Sequence, residues 1–256
     1  KKKIDSLNKS DLTIIEMLNP NLKLQNLYMQ KSKRVIVLDD VLENKYKIDL
    51  LISCQNTSKK PSVSKKTIFH SGYKFFPFND EFNKFLKKKK TINKHIQNIT
   101  VFLGGSSYEK INYKIAKLLK KKNRVRFILG GELKAEFKRK LLQINKKFII
   151  SKLPRNLAEI LFNSDLVISG GGYTKIEVAS VGTPQISIPI HEHQLDLLKN
   201  FKKTFKTQYI DKTKINALDK KIENFNFKKR SLESKIYKKY FIQNGLKNIF
   251  EKIKEI

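Results

Sequence analysis

The chain has 256 residues, enough for one large domain or two small ones. It combines 39% hydrophobic residues with a formal net charge of +32, from 55 Lys and Arg against 23 Asp and Glu. No apolar run approaches the roughly 20 residues that cross a bilayer, which argues against an integral membrane segment. The single cysteine, Cys54, rules out an internal disulfide and is expected to be a small buried hydrophobic residue.

The first residues of the sequence lack the apolar centre of a signal peptide, so a cytoplasmic location is expected. The basic charge invites comparison with nucleic-acid-binding proteins. However, lysines are scattered over every segment, and Lys far outnumbers Arg, whereas base recognition favours the Arg fork. We therefore expect a solvated basic surface, including the lysine run at 87–90, and no nucleic-acid partner. Peripheral association with an anionic membrane surface is the alternative.

The first part of the chain carries short apolar runs separated by polar segments. They read LTIIE at 12–16, RVIVLDD at 34–40 and DLLISC at 49–54. Such runs predict parallel strands covered on both faces. Asp39 and Asp40 end the second run, where a turn with one capping Asp is the simpler interpretation. An acid–base or metal role for Asp40 is kept as an alternative.

An aromatic segment and a basic segment follow these strands. The aromatic segment, HSGYKFFPFNDEF at 70–82, is predicted to pack its rings at a domain seam, with base stacking as the alternative. The basic segment at 84–98 is mostly polar and is interpreted as a connection between domains.

From residue 98 onward, apolar runs and helical periodicity alternate. The predicted order is β-α-β-α-β-α-β-α-β, which indicates a doubly wound parallel sheet with right-handed crossovers. The tail from about Ser231 predicts two amphipathic helices broken near Gly245. The fold class is therefore α/β.

Three of the 10 glycines stand in a row at 170–172, between a predicted strand and a predicted helix. Glycine lacks a Cβ and tolerates positive φ, so a phosphate can approach the main chain closely. The helix that follows supplies N–H groups and a positive dipole end. Thr174 adds a hydroxyl, and Glu177 adds a carboxylate for the two hydroxyls of a ribose. The pattern predicts a nucleoside diphosphate site, with a purely structural turn as the alternative.

The segment SDLVISGGGYTKIEVASVGTPQISIPIHEHQ at 164–194 resembles the donor-binding segment of GT-B nucleotide-sugar enzymes. It is most similar to the UDP-sugar hydrolases of the pseudaminic acid pathway and the related spore-coat polysaccharide proteins. Family-28 glycosyltransferases share the segment more distantly. Looser likenesses at 34–56, 70–82, 99–107 and 241–250 extend the resemblance over most of residues 12–250.

The resemblance implies a GT-B-like fold of two Rossmann-like, doubly wound parallel-sheet domains. A partial N-terminal domain and connector is expected over 1–93, a nucleotide-sugar-binding domain over 94–230, and C-terminal helices that pack back across the cleft over 231–256. The family opens with a Gly-x-Gly-His loop that has no counterpart here. The N-terminal domain is therefore expected to be incomplete by about 80 residues, and the catalytic residues are unknown apart from the Asp40 alternative.

The resemblance also implies a set of substrate-binding residues around one cleft. Main-chain N–H groups hold the diphosphate, a carboxylate holds the ribose, a turn covers the uracil and a polar pair contacts the sugar. In that order the residues are Gly171, Gly172 and Tyr173, then Glu177, then Leu153, then His193 and Gln194, with Gly104, Gly105 and Ser106 lining the opposite side. The hydroxyl of Thr174 is also expected to be part of this set.

The implied activity is release of UDP from an amino-deoxy sugar nucleotide by water, for surface polysaccharide or nonulosonic acid biosynthesis. The alternatives are hexosyl transfer from a UDP-sugar and a nucleotide-sugar-binding chain without activity. Leu197 and Leu198 occupy the region where transferases carry an Asn, which argues slightly against transfer. No metal or cofactor is expected, because N–H groups and a helix dipole can hold the leaving diphosphate. A metal site at His191 and His193 lacks further ligands nearby in sequence.

Overall fold

The computed structural model describes residues 9–17, 19–56 and 60–256. The chain divides into two compact units, which are described separately below. Unit 1 comprises Lys1–Pro77 and Asn244–Ile256, and unit 2 comprises Phe78–Gln243. These bounds differ from the domains expected from the sequence, because the segment after Phe78 belongs to unit 2 and the two C-terminal helices fall in different units.

Unit 1 is built on a four-stranded parallel sheet with the strand order β1-β2-β4-β6. Helix α1, which was not predicted from the sequence, connects the first two strands. Strands β3 and β5 form a separate two-stranded parallel sheet. The strands predicted at 12–16, 34–40 and 49–54 are confirmed as β1, β2 and β4. The elements are β1 Ser10–Glu16, α1 Leu22–Lys31, β2 Ser32–Leu38, β3 Lys45–Tyr46, β4 Leu50–Ser53, β5 Ser62–Val63 and β6 Ile68–Ser71.

The central strands of this sheet are covered on both faces. Val35 and Val37 of β2 belong to one apolar cluster, whereas Ile36 between them belongs to another. Ile249 from the C-terminal helix α10, Gly245–Lys254, completes the second cluster. This two-sided burial explains why the strands read as unbroken apolar runs rather than as alternating patterns.

Unit 2 contains a six-stranded sheet in which all neighbours are parallel. The strand order is β12-β11-β10-β7-β8-β9, so the chain moves outward from β7 in one direction and from β10 in the other. This is the doubly wound order that the alternation predicted, with its switch point between β7 and β10. The strands are β7 Asn98–Phe102, β8 Arg124–Leu129, β9 Ile149–Lys152, β10 Leu166–Gly170, β11 Gln185–Ile188 and β12 Gln208–Tyr209.

The helices of unit 2 include those predicted between the strands and three that the sequence analysis did not assign, namely α2, α7 and α8. The predicted break in the C-terminal tail near Gly245 is confirmed, because Asn244 caps α10 by accepting a hydrogen bond from Leu246 N at 3.1 Å. The helices are α2 Asp80–Leu86, α3 Glu109–Leu118, α4 Ala135–Ile144, α5 Leu157–Asn163, α6 Thr174–Ser180, α7 Gln194–Phe205, α8 Leu218–Glu223 and α9 Phe227–Tyr240, with a 3-10 helix at Lys212–Ala217.

The two faces of this sheet differ in polarity. Ile168 and Ile186 belong to the apolar core of one face. Because side chains alternate along a strand, Ser169, Gln185 and Ser187 lie on the other face, and all three are fully buried. One face of unit 2 is therefore a conventional apolar core, and the other holds a polar network.

Half-buried lysines bind main-chain carbonyls at helix ends in unit 2. Lys238 Nζ donates to Phe85 O and Leu86 O at 2.6 Å, at the end of α2. Lys90 Nζ donates to Ser164 O at 2.8 Å, just beyond α5. A cation at a helix C-terminus satisfies carbonyls that have no partner within the helix. The prediction that the whole run 87–90 is a solvated linker is wrong for Lys90, because only 87–89 are exposed.

Gly170 ends β10 where the main chain following β7 passes very close. A Cβ added at Gly170 would lie 2.1 Å from Leu103 O, closer than any non-bonded approach of real atoms. This first glycine of the run is therefore required by packing between the two loops at the switch point.

We predict that Gly170→Ala lowers the free energy of unfolding by about 2–3 kcal/mol, because the added methyl group meets rigid main chain. Gly105→Ala is the matched control, since a Cβ at Gly105 meets no atom within 4 Å. The control should change stability by less than about 0.5 kcal/mol. Urea denaturation of the three proteins measures both effects, and equal stabilities for the two variants would contradict the packing role of Gly170.

Candidate functional site

The candidate site lies at the switch point of unit 2, where the loops after β7 and β10 meet. Ligands of open α/β sheets bind beyond the carboxyl ends of strands at such a point. Gly104 has a φ of 120°, a conformation that side chains rarely adopt, and a Cβ there would lie 3.5 Å from Thr174 Oγ1. The predicted glycine turn after β7 and the start of α6 are thus brought together.

The glycine turn at 170–172 does not present all its N–H groups to a ligand. Gly171 N donates to Ile188 O at 2.8 Å, which removes Gly171 from the main-chain donors expected for a diphosphate. Among the residues that the structure describes, none accepts a hydrogen bond from the N–H groups of Gly172 or Thr174. These two groups are therefore available to an anion.

Lys175 holds the carbonyl side of the same turn. Its side chain is fully buried, and its Nζ donates to Gly171 O and Gly172 O, each at 2.9 Å. The ammonium also lies 5.5 Å from the centroid of the Phe201 ring. This role of Lys175 was not predicted from the sequence. The available signal was a lysine placed three and four residues after two glycines, on a helix that the sequence already predicted.

Gln194 packs against the turn from the start of α7. A Cβ added at Gly171 would lie 3.1 Å from Gln194 Oε1, and one at Gly172 would lie 3.3 Å from Gln194 Nε2. Gln194 Oε1 accepts a hydrogen bond from Ile190 N at 2.8 Å. Gln194 is buried, so its oxygen orders the loop after β11 while its amide nitrogen lies beside Gly172.

Three rings form the exposed rim next to Gln194. His191 and His193 stack with centroids 5.8 Å apart and an angle of 2° between their planes. Tyr108, which follows the glycine turn of β7, meets His191 edge-on with centroids 6.1 Å apart. Tyr108 has a φ of 42°, an uncommon conformation for a side-chain-bearing residue. Tyr108 is a second residue of this site that the sequence analysis missed.

Glu177 lies one helical turn into α6 and is half-buried. Burial, together with the nearby carboxylate of Glu81, raises its pKa to about 7. Glu81 itself accepts a hydrogen bond from Ala158 N at 3.0 Å. No hydrogen-bond donor to the Glu177 side chain exists among the described residues. A carboxylate that is shielded from water and lacks a donor is suited to accept hydrogen bonds from ligand hydroxyls.

The remaining predicted residues are more dispersed. Leu153 is half-exposed after β9, at the outer edge of the sheet, and Gly105, Ser106 and Tyr173 are exposed. Asp40 belongs to unit 1, where its carboxylate accepts hydrogen bonds from Ser53 Oγ at 2.7 Å and from Gln55 Nε2 at 3.3 Å. These bonds favour the turn interpretation of Asp40.

Asp39, Cys54 and the aromatic segment at 70–82 have the structural roles that were expected as the simpler interpretation. Asp39 accepts a hydrogen bond from Val41 N at 3.0 Å, and its carboxylate also accepts the Tyr46 hydroxyl at 2.5 Å. Cys54 is buried, as expected, and burial raises the pKa of its thiol. The five aromatic side chains predicted to pack are all buried, namely Tyr73, Phe75 and Phe76 of unit 1 and Phe78 and Phe82 of unit 2.

Within the described ranges, no group of three or more His, Cys, Asp or Glu side chains is arranged to hold a metal ion. The pair formed by His191 and His193 therefore has no third protein ligand there. None of the helices described is both long and apolar enough to cross a bilayer.

A buried hydrogen-bond network supports α6 from the polar face of the sheet. Gln185 Nε2 donates to the main-chain oxygen of Lys175 at 2.8 Å and to Tyr237 Oη at 3.0 Å. Glu233 Oε1 accepts hydrogen bonds from Gln185 N at 3.1 Å and from Tyr237 Oη at 2.5 Å. The helix that carries Lys175 and Glu177 is thus tied to α9 through Gln185.

Glu233 is completely buried, and burial raises its pKa to about 8 although the hydrogen bonds from Tyr237 and Gln185 oppose the rise. Its other oxygen, Oε2, has no hydrogen-bond partner in the described chain. Burial and the absence of a partner for Oε2 therefore favour the protonated form of Glu233 at neutral pH.

Solved structures with the same architecture include MurG of Acinetobacter baumannii, with a TM-score of 0.59 and 13% identity over 87% of this chain and 68% of that one. Sucrose-phosphate synthase of Thermosynechococcus elongatus gives a TM-score of 0.55 and 13% identity over 94% and 73% of the two chains. S. aureus TarM, solved in complex with UDP, gives 0.52 and 15% identity over 89% and 50%. The parallel sheets and these neighbours define the GT-B class of α/β folds.

The glycosyltransferase family 28 C-terminal domain matches residues 98–253, more than half of the chain. The chain belongs to this family of glycosyltransferase-like nucleotide-sugar enzymes. An uncharacterised protein of Methanocaldococcus jannaschii is 26% identical over 225 residues, which are 82% of this chain and 46% of that protein. The chain therefore spans about half the length of this curated relative.

We predict that the pH dependence of stability reports on Glu233. Its folded-state pKa is raised from 4.5 to about 8, so between these pH values the folded protein holds a proton that the unfolded chain has already released. The free energy of unfolding should therefore fall as pH rises through this window, by an amount on the order of a few kcal/mol. Glu177 adds a smaller fall that is complete by about pH 7. Urea denaturation across the window measures the slope.

Glu233→Gln should flatten this dependence, most clearly between about pH 7 and pH 8, because the amide cannot ionise. The exposed Glu192→Gln serves as the control and should keep the wild-type slope. Identical pH profiles for wild type and Glu233→Gln would contradict the assignment of Glu233 as a buried neutral acid.

Proposed function

We propose that unit 2 binds the nucleotide part of a UDP-sugar and that the enzyme uses this sugar nucleotide as its substrate in the cytoplasm. The observation that carries the proposal is the glycine turn at the switch point, with the N–H groups of Gly172 and Thr174 available and Glu177 one helical turn further on. Family membership supports the proposal, as does the structural likeness to TarM, which was solved with UDP.

The chemistry of binding follows from these groups. The N–H groups of Gly172 and Thr174 would donate to the diphosphate, and their dipoles would stabilise the negative charge that develops on it when the bond to the sugar breaks. Ionised Glu177 would accept hydrogen bonds from both ribose hydroxyls. In the proposed arrangement Gly104, Gly105 and Ser106 line the opposite side, and Leu153 covers the uracil. No metal ion is required to hold the leaving group in this scheme.

We favour transfer of a hexosyl group to an alcohol acceptor as the reaction of the whole enzyme, because the family match is to a glycosyltransferase domain. Unit 1 would then be part of the second Rossmann-like domain of the GT-B fold, and it would contribute to the catalytic residues. His193 and the Gln194 amide nitrogen would contact the sugar from the start of α7.

Hydrolysis of the UDP-sugar is the second candidate. Leu198, which occupies the region where transferases carry a polar residue, is 1% exposed and packs against Gly171. It therefore offers no polar contact to a sugar. UDP release from a panel of UDP-hexoses separates the two reactions: release that is complete in water alone supports hydrolysis, whereas release that requires an added alcohol supports transfer.

We predict that Glu177→Ala weakens UDP binding about tenfold or more, because a hydrogen-bonded charged contact contributes about 1.5–3 kcal/mol. Wild-type affinity should rise between about pH 6 and pH 8 as the carboxylate ionises. Calorimetric titration of the full chain measures both effects. Uridine is the parallel ligand, since it has no phosphate that titrates in this range.

Glu177→Gln is the control for charge, because it keeps the size of the side chain. It should bind UDP weakly, and its uridine affinity should not vary over the same pH range. Failure of the wild-type chain to bind UDP at about 1 mM, a concentration that detects even weak sites, would contradict the proposed nucleotide site.

A further inference from the structure

A second cleft of about 680 Å³ opens in unit 2 at the end of β12. It lies among α7, the 3-10 helix Lys212–Ala217, α8 and the start of α9. Its volume is in the range of small-molecule pockets. Six of its 15 lining residues are lysines, namely Lys199, Lys202, Lys214, Lys220, Lys221 and Lys229.

Carboxylates do not balance this charge. Within the described chain, Lys199 is the only one of the six that forms an ion pair, with the exposed Asp196 at 2.9 Å. Asp211 is the one acid that lines the cleft, and its Oδ1 accepts hydrogen bonds from Thr213 N and Thr213 Oγ1, both at 2.8 Å. Asp211 therefore caps the 3-10 helix rather than pairing with a lysine.

The lysines of the cleft also act on one another. Partial burial, Lys202 and Lys229 together lower the pKa of Lys221. Lys202 Nζ lies 5.6 Å from the centroid of the Tyr209 ring, and Lys229 Nζ donates to Asn224 O at 3.2 Å. Neighbouring ammonium groups in a shared recess raise the free energy of the empty cleft, and a bound anion would relieve this repulsion.

The floor of the cleft is ordered and apolar. Ile210 and Phe225 are buried members of the main core of unit 2, and both line the cleft. Lys221 is half-buried and the other five lysines are exposed, so the ammonium groups stand around the opening of a recess whose base is apolar. An ammonium is a compact point charge that suits phosphate oxygens without requiring the planar geometry of Arg.

We infer that this cleft binds a small anion that carries several phosphate groups. The cleft shares no lining residue with the proposed nucleotide site, and it would bind its ligand through side-chain ammonium groups rather than through a glycine turn. The inference does not depend on which sugar nucleotide the enzyme uses.

The test is calorimetric titration of the full chain with tripolyphosphate at low ionic strength, where screening is weak. The cleft variant combines Lys202→Ala, Lys221→Ala and Lys229→Ala. The matched control combines Lys138→Ala, Lys146→Ala and Lys147→Ala, which removes the same charge from exposed positions in and after α4. Circular dichroism and thermal melting establish that each variant is folded.

We expect the cleft variant to bind tripolyphosphate at least about tenfold more weakly than wild type, and the control to differ from wild type by less than about twofold. An equal loss in both variants would overturn the inference, because the binding would then reflect net charge alone. Absence of wild-type binding at about 1 mM would overturn it as well.

A second measurement separates a free phosphorylated ligand from a lipid headgroup. Sedimentation with vesicles of phosphatidylcholine containing phosphatidylinositol 4,5-bisphosphate, whose headgroup carries several phosphate groups, compares the same three proteins. Vesicle binding that is lost only in the cleft variant supports a headgroup as the ligand. Vesicle binding that is equal in all three proteins, with tripolyphosphate binding lost in the cleft variant, supports a soluble phosphate ester.

Discussion

The candidate nucleotide site depends on one buried ammonium group. Lys175 Nζ donates to the carbonyl oxygens of Gly171 and Gly172, while its own main-chain oxygen accepts a hydrogen bond from Gln185. These bonds fix a turn of two glycines that would otherwise be among the most mobile segments of a chain. The fixed turn leaves the N–H groups of Gly172 and Thr174 without an acceptor in the described structure, so their geometry is set before any ligand arrives.

Lys175 is one instance of a broader use of cations in unit 2. Lys90 and Lys238 bind main-chain oxygens near helix ends, and the buried Arg230 donates to Asn93 O at 2.9 Å and to Lys94 O at 2.8 Å. Desolvation without a charged partner lowers the pKa of Lys238 to about 8. Part of the basic composition is therefore structural, because these side chains satisfy carbonyls that would otherwise remain without donors. The rest is exposed and gives the lysine cleft its charge.

Local patterns in the sequence were enough to predict three of the four strands in the main sheet of unit 1, five of the six in unit 2 and the glycine turn, because each depends on residues close together in the chain. Apolar runs mark the buried strands, and a glycine run marks a close approach of main chain. The donor role of Gly171 was not predictable, since its acceptor, Ile188 O, comes from a neighbouring strand. Nor was the partial burial of Lys90, which depends on carbonyls far along the sequence. The polar face of the sheet did leave a signal, because Ser169 and Gln185 occupy positions that alternate with apolar residues.

The hydrogen bonds between Gln185 and α9 affect the stage of protein synthesis at which the candidate site can assemble. The glycines, Lys175 and the strands around them are synthesised well before Glu233 and Tyr237, the residues of α9 that hold Gln185. Parallel strands separated by long connections already pair slowly. A nascent chain that ends before α9 would contain every residue of the turn, yet the polar face of its sheet would be open to water. Assembly of the site is therefore expected to be a late step in biosynthesis, set by the emergence of a helix that the ligand never touches.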